Sequence, residues 1–214
     1  MAILNPRVYV IGLDSRHDRM QEFCRDLPPD WPFTLPVRLS AVNGKAVRPP
    51  GWWKAGGPAW GCMMSHARIM EDCLGDSIQT VLILEDDAVF CEGFSKKVQE
   101  FLRIVPAGWD QLYLGGQHLK NPIPSSGGYY TCVNVNRCHG YMMSLDFMRF
   151  VYPLLFEPVR WEADYPMHID HFFGRLHETR VHQVLAPMQW LIGQREGRSD
   201  ICGQDMQRRF WQQV

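Results

Sequence analysis

Three observations predict an α/β fold with a mostly parallel central sheet flanked by helices. Strand-like and helical segments alternate along the chain. Val81-Leu82-Ile83-Leu84 is an unbroken apolar run of the kind that forms a strand covered on both faces. That run ends on three successive carboxylates, Glu85-Asp86-Asp87, and the carboxyl ends of strands are where open α/β sheets collect ligands.

Each element follows from local pattern. Arg7-Val8-Tyr9-Val10-Ile11-Gly12-Leu13 is rich in β-branched and aromatic residues and reads as the first strand. Asp14-Ser15 reads as a helix cap, with the helix over 16–25. Pro28, Pro29, Pro32 and Pro36 end it and force an extended passage into a second strand, Val37 to Ala41. Residues 43–60, punctuated by glycine and proline and carrying Trp52, Trp53 and Trp60, read as an irregular loop. Its tryptophans either offer a stacking surface to a sugar ring or a base, or anchor the loop to its own domain. Gly61 to Leu74 is helical, with Met63, Ala67, Met70 and Leu74 on one face. After the acidic-ended strand come a helix to Ile104, a strand from Trp109 to Gly116, and a long loop or small hairpin over 117–131. Val133 to Tyr141 reads as a strand, Ser144 to Leu155 as a helix, and Asp164 to Arg175 as containing a short helix. Val181 to Leu185 is a strand, and the tail is polar.

Bulk composition narrows the function classes. The 214 residues are 46% hydrophobic, which supports a sizeable core and excludes general disorder. Lys and Arg total 22 against 23 Asp and Glu, a net charge of −1 that argues against an extended non-specific grip on nucleic acid. No apolar run is long enough to span a membrane. The opening Met1-Ala2-Ile3-Leu4-Asn5-Pro6-Arg7 lacks the shape of a signal peptide. Seven scattered cysteines fit a reducing, cytoplasmic setting. Cys62/Cys73 and Cys132/Cys138 lack zinc-ribbon spacing, although His139 follows Cys138.

The acidic triplet carries the chemistry. Three adjacent anions repel unless positive charge sits between them, and their hard oxygens suit Mg²⁺ or Mn²⁺. A solvated acidic turn is the plainer alternative. Strand alternation sends Glu85 and Asp87 to one side and Asp86 to the other, making Asp87 the first ligand expected and Glu85 the second carboxylate, with Asp86 either on a ribose or on the metal. Arg16 and Arg19 share a face at a helix start, where free N–H groups and the positive dipole end suit a diphosphate or a uracil-ribose edge. The opposing reading pairs them on the surface with Asp14, Asp18 and Glu22.

A set of motifs in order resembles glycosyltransferase family 25, which includes lipooligosaccharide and collagen galactosyltransferases. These are Val8 to Met20, Gly61-Cys62-Met63-Met64-Ser65-His66, Ile83 to Phe90, Trp109 to Gly115, Gly140 to Ser144, His168-Ile169-Asp170 and Ser199-Asp200-Ile201. The resemblance implies a GT-A-like nucleotide-sugar-binding fold in one domain, 1–214, with a nucleotide-binding part over about 1–115 and an acceptor side over about 116–214. It implies Mn²⁺ or Mg²⁺ on Glu85 and Asp87. Donor contacts are expected from Leu13, Asp14, Arg16, Arg19, Ser65, His66, Asp86, Gln194, Ser199 and Asp200. Asp170 is expected as the base that takes the acceptor proton, with His168 second and a helix-capping role as its alternative. His182 is a weaker third metal ligand. The expected reaction is inverting transfer of a hexose from a UDP-sugar to a hydroxyl acceptor, first a glycan, as in lipopolysaccharide biosynthesis. A hydroxylated protein side chain or a hydroxymethylated DNA base are the other acceptors. The loop over 117–131 departs from the family pattern, so the acceptor does not carry over. A non-catalytic sugar-nucleotide-binding relative and a metal phosphohydrolase are the competing classes.

Overall fold

The computed structural model describes residues 5–161, 166–201 and 203–211. In chain order the elements are β1 (Arg7–Gly12), α1 (His17–Asp26), β2 (Val37–Ser40), α2 (Gly56–Gly75), β3 (Thr80–Glu85), β4 (Ala88–Phe90), α3 (Phe94–Ile104), β5 (Gln111–Lys120), β6 (Ile123–Pro124) and β7 (Tyr129–Thr131). There follow β8 (Asn134–Ser144), α4 (Leu145–Leu154), a 3₁₀ turn (Pro158–Trp161), α5 (Ile169–Glu178), β9 (Val184–Pro187), β10 (Ile192–Gln194), β11 (Gly197–Arg198) and β12 (Asp205–Met206).

Eight strands form one sheet in the order β2-β1-β3-β8-β5-β9-β7-β6. Tracing the pairings, β8 and β7 run against the other six, so the sheet is mostly parallel in direction, as expected. Alternation along β1 and β3 explains their continuous apolar runs. Tyr9, Ile11, Val81 and Ile83 enter a core shared with α2, α4 and α5, while Val8, Val10, Leu82 and Leu84 enter one shared with α1 and α3. With helices on both faces, the chain leaves β1 to form β2 on one side and returns past it to form β3 on the other. That reversal opens a crevice at the carboxyl ends of β1 and β3.

Several boundaries differ from the sequence reading. The N-cap of α1 is Arg16 and makes no side-chain cap, because Asp14 is drawn away to Ser40 Oγ (2.6 Å) and to Arg38. Helix α2 starts at Gly56 rather than Gly61; Pro58 lies in its first turn, where a missing N–H costs nothing. Strand β5 runs on to Lys120, and the segment after it forms the small β6–β7 hairpin. The late strand is shifted to Val184–Pro187. The expected short helix is α5; residues 164 and 165, like Met1 to Leu4, lie outside the described residues.

The tryptophan segment is an anchor. Trp53 is buried, its ring lies 5.0 Å from Trp60 and 4.8 Å from Trp161, and its Nε1–H donates to Gly56 O at 2.9 Å. Its aromatic area therefore fastens the loop and the start of α2 to the domain. Next to it, the chain after β2 crosses α2 so closely that a Cβ on Gly61 would stand 2.4 Å from Val42 O, and one on Gly44 2.1 Å from Gly57 O. Only glycine permits that crossing, which brings residues 41–45 to the crevice.

Candidate active site

The crevice is a cleft with about 200 Å³ of room, walled by Ile11 to Leu13 from the end of β1, Ala41 to Lys45 after β2, Cys62, Ser65 and His66 from α2, and Glu85, Asp86 and Asp87 from the end of β3. Gln194, Ser199, Asp200 and Ile201 close it from the C-terminal segment. A second pocket of about 160 Å³ adjoins it, lined among others by Arg137, His139, His168 and Asp170. The two share Cys62, Glu85, Gln194, Ser199 and Ile201 as a common wall.

All three carboxylates face the first cleft. The expected alternation fails because β3 ends at Glu85 and the chain turns at Asp86-Asp87, so strand geometry no longer sorts the side chains. Asp86 is held by its N–H on Ile11 O (3.0 Å), continuing the β1–β3 ladder. Arg19 Nη1 stands 3.3 Å from Asp86 and 3.6 Å from Asp87. Gln194 Nε2–H donates to Asp87 Oδ2 at 3.0 Å, while Asp87 Oδ1 is buried without a hydrogen bond. Pairing of β10 with β4 puts Gln194 opposite Ala88 and so beside that carboxylate.

Burial pushes the Asp86 carboxyl up to about 6 against the pull of Arg19, and pushes Asp87, beside the negative Glu85, up to about 7. For Glu85, burial is the largest single influence and acts upward, but His66, His139 and Arg19 together outweigh it and the carboxyl lies below its ordinary value. Asp86 and Asp87, buried carboxylates that hold their protons tightly, one with an orphaned oxygen, form with the ionised Glu85 a donor set that fits a hard divalent ion. Glu85, Asp86 and Asp87 are the residues that would hold it.

The sign of the pH effect follows. Asp86 and Asp87 titrate near 3.8 when unfolded and near 6 and 7 when folded. Across that window the folded state binds more protons, so stability falls as pH rises. Glu85 contributes oppositely, its share being lost as pH falls through its lowered folded value. The ion-free protein is expected to melt higher near pH 5 than near pH 8, and Mn²⁺ is expected to raise the midpoint more at the higher pH. Thermal melts with and without the ion check this; a midpoint that climbs from pH 5 to 8 contradicts it.

Residues 56–122, which carry α2, the acid triplet and the whole of β5, match the family model described as Glycosyltransferase family 25 (LPS biosynthesis protein). This segment is similar to family 25 glycosyltransferases. The chain is also 26% identical over 164 residues to procollagen galactosyltransferase 1 of Danio rerio, across 64% of this chain and 27% of that protein. It thus spans about a quarter of the length of the curated relative it matches. Both findings agree with the motif resemblance, and both name a glycosyltransferase. Among solved structures, A197 from STIV superposes with a TM-score of 0.49 at 12% identity, covering 96% of this chain and 95% of that one. Mouse xyloside xylosyltransferase 1 gives 0.49 at 11% identity over 85% and 84%. A glycosyltransferase involved in glycosylating the major capsid of PBCV-1 gives 0.45 at 12% over 85% and 81%.

Within the segment that matches the family model, Ser65 and His66 are both buried and both engaged. Ser65 Oγ accepts from Val42 N–H (2.9 Å) and donates to Gly61 O (2.7 Å), fixing the loop that lines the cleft. His66 Nδ1 lies 2.8 Å from the Tyr141 hydroxyl, and its Nε2 faces Glu85 Oε1 at 3.4 Å. Of the other expected donor contacts, Leu13, Arg19, Asp86, Gln194, Ser199 and Asp200 line the cleft. Asp14 and Arg16 do not: Asp14 pairs with Arg38, and Arg16 reaches Asp200 at 2.7 Å. Together with Arg19 Nη2–H on Arg198 O (2.8 Å), that pair straps the β11 region over the cleft. Arg195 secures the same segment through Asp26 at 2.8 Å and its N–H on Asp87 O at 2.7 Å.

Asp170 and His168 line the second pocket. Asp170 does not cap α5, whose N-cap is His168. Its Oδ1 accepts from the His171 N–H (2.9 Å) and its Oδ2 from the Arg137 N–H (3.2 Å). Arg137 presents that N–H from a left-handed backbone, φ 77°, a strained conformation for a long side chain. His182 is not part of either pocket: it packs on Phe147 and Phe150 and faces Asp110 at 3.6 Å. Asn43, Lys45 and Arg137 line the pockets with no signal in the sequence, whereas Cys62 stands in the Gly61-to-His66 motif four residues before His66, and His139 follows Cys138.

Proposed function

We propose that this chain is a metal-dependent glycosyltransferase of GT-A type that transfers a hexose from a UDP-sugar to a hydroxyl acceptor with inversion at C1. The observation that carries this reading is the acid triplet at the carboxyl end of β3, with Asp86 and Asp87 buried, Arg19 against them and a cleft beside them. In this reading the part over about 1–115 grips the nucleotide and the part over about 116–214 receives the acceptor.

The nucleotide lies along Ile11 to Leu13 and residues 41–45, with its diphosphate toward Arg19 and the acids. Bound Mn²⁺ or Mg²⁺ supplies positive charge to the departing diphosphate. Arg19 adds fixed positive charge there, and Gln194 keeps the Asp87 carboxylate oriented. Asp170 keeps lone pairs free of its two backbone donors, and these take the proton of an acceptor hydroxyl in the second pocket as its oxygen attacks C1. The shared wall of Cys62 and Glu85 is where the two substrates meet. Asp14 and Arg16 act at one remove, by holding neighbouring segments.

A glycan is the first acceptor, supported by the family description. The procollagen galactosyltransferase likeness favours a hydroxylated protein side chain as the second. The six described cysteines are all free, and no helix among the described residues is long and apolar enough to cross a membrane; the free thiols support a cytoplasmic site. The direct test is donor hydrolysis and transfer across a panel of nucleotide sugars with and without Mn²⁺, using glycan and hydroxylated-peptide acceptors. Ion-dependent turnover of a UDP-hexose supports the reading. Donor binding without turnover under any acceptor condition favours a non-catalytic relative.

Arg19→Ala is expected to weaken donor binding by roughly 10- to 100-fold, the worth of a charge-assisted contact in a dry site, with a smaller loss in kcat. Calorimetric titration with UDP and steady-state kinetics read the two separately. An unchanged donor Kd contradicts this role.

A further inference from the structure

On the wall between the pockets, the thiol of Cys62, an imidazole nitrogen of His66 and a carboxylate oxygen of Glu85 all lie within 4.8 Å of one another. Cys62 and His66 are one turn apart on α2 and so share a face. The Tyr141 hydroxyl holds His66 Nδ1 at 2.8 Å, which orients the ring so that Nε2 points at Glu85. Outer contacts of that kind fix a metal-binding imidazole. His66 is 1% exposed, and its Nε2 meets Glu85 Oε1 at 3.4 Å with no shorter hydrogen bond. Cys62 is half-buried and lines both pockets, so an ion has a way in.

One sulfur, one nitrogen and one oxygen are not the donor set of Mg²⁺ or Mn²⁺, which prefer oxygen throughout. They are the set of a tetrahedral ion with three protein ligands and an open fourth position. Bond lengths of about 2.0 to 2.3 Å separate such ligand atoms by roughly 3.5 Å, so side-chain adjustment of about an ångström closes the trio. We infer that Cys62, His66 and Glu85 form a binding site for a thiophilic divalent cation, Zn²⁺ or Co²⁺, whose fourth position opens to the cleft. Glu85 belongs both to this site and to the acid triplet, so a soft ion here withdraws it from the hard ion's donor set. Zn²⁺ is therefore expected to oppose turnover supported by Mn²⁺; that consequence alone rests on the transferase reading.

The test is a Co²⁺ titration of the whole protein followed by visible and near-ultraviolet absorption. At one equivalent, tetrahedral Co²⁺ bands and a thiolate charge-transfer band are expected. Both are lost in Cys62→Ser and kept in Asp87→Asn, with circular dichroism confirming that each variant is folded. No charge-transfer band in the wild type, its persistence in Cys62→Ser, or its loss in Asp87→Asn overturns the assignment. Zinc X-ray absorption on the wild-type protein at one equivalent needs no variant: one sulfur among nitrogen and oxygen neighbours is expected, and no sulfur or several sulfurs overturns it. Neither readout uses sugar transfer, so an inactive protein leaves the result intact.

Discussion

Asp87→Asn is expected to lower ion-dependent donor turnover by about 10²- to 10³-fold or more, while the protein still folds. The scale is that of removing one preorganised electrostatic element from a site that excludes water. The carboxylate is 8% exposed and shares Gln194 and Arg19, so it sits in the floor of the cleft rather than at a solvent rim. Asparagine keeps an acceptor for Gln194 Nε2 while removing a charge that burial already disfavours, the reason its carboxyl is pushed up to about 7. Near pH 8 the melting midpoint without added ion is therefore expected to hold or rise, and its response to Mn²⁺ to shrink. Turnover assays over an Mn²⁺ series, paired with thermal melts, read both halves. Wild-type activity in the variant contradicts the role. A protein that no longer folds makes the residue structural.

Asp170→Asn is expected to cut kcat by about 10²- to 10⁴-fold, the range for losing a positioned general base, with donor affinity nearly unchanged. The amide oxygen can accept from the Arg137 N–H or the His171 N–H but not from both, and the Arg137 N–H keeps Asn136 Oδ1 at 2.6 Å in either case, so the strained turn at Arg137 keeps a partner. Steady-state kinetics and donor titration on the same preparation separate the two effects. Equal losses in kcat and donor affinity demote Asp170 to a scaffold residue, and the same substitution at His168 then becomes the one to read.

The legible part of this molecule was the part written in local pattern. Strands β1 and β3 announce burial on both faces by their unbroken apolar runs, and both cores are filled by the alternation those runs imply. The acid triplet was legible because three adjacent carboxylates at a strand end need a positive partner, which Arg19 supplies in part. What sequence concealed was long-range. The start of α2 looked like loop because Gly56-Gly57-Pro58 disfavours a helix interior but not its first turn. The tryptophans at 52, 53 and 60 had the same composition whether stacking surface or anchor, and only Trp161, far along the chain, decides between them. Arg137 and His139 enter the second pocket from β8, and Asn43 and Lys45 reach the first because glycines let two backbones cross. No spacing in the chain encodes such meetings. His182, the weaker candidate for a third metal ligand, folds against Phe147 and Phe150, outside both pockets.

The claim on which the functional account rests is that the acid cluster at the end of β3 holds a cation against a diphosphate. Crystals soaked with Mn²⁺ and UDP, measured for manganese anomalous scattering, test it most directly. A peak is expected bonded to Asp87, with Glu85 or Asp86 beside it, and to diphosphate oxygens in the cleft walled by Arg19 and residues 41–45. A nucleotide bound elsewhere, or bound there with no ion on the acids at saturating Mn²⁺, contradicts it.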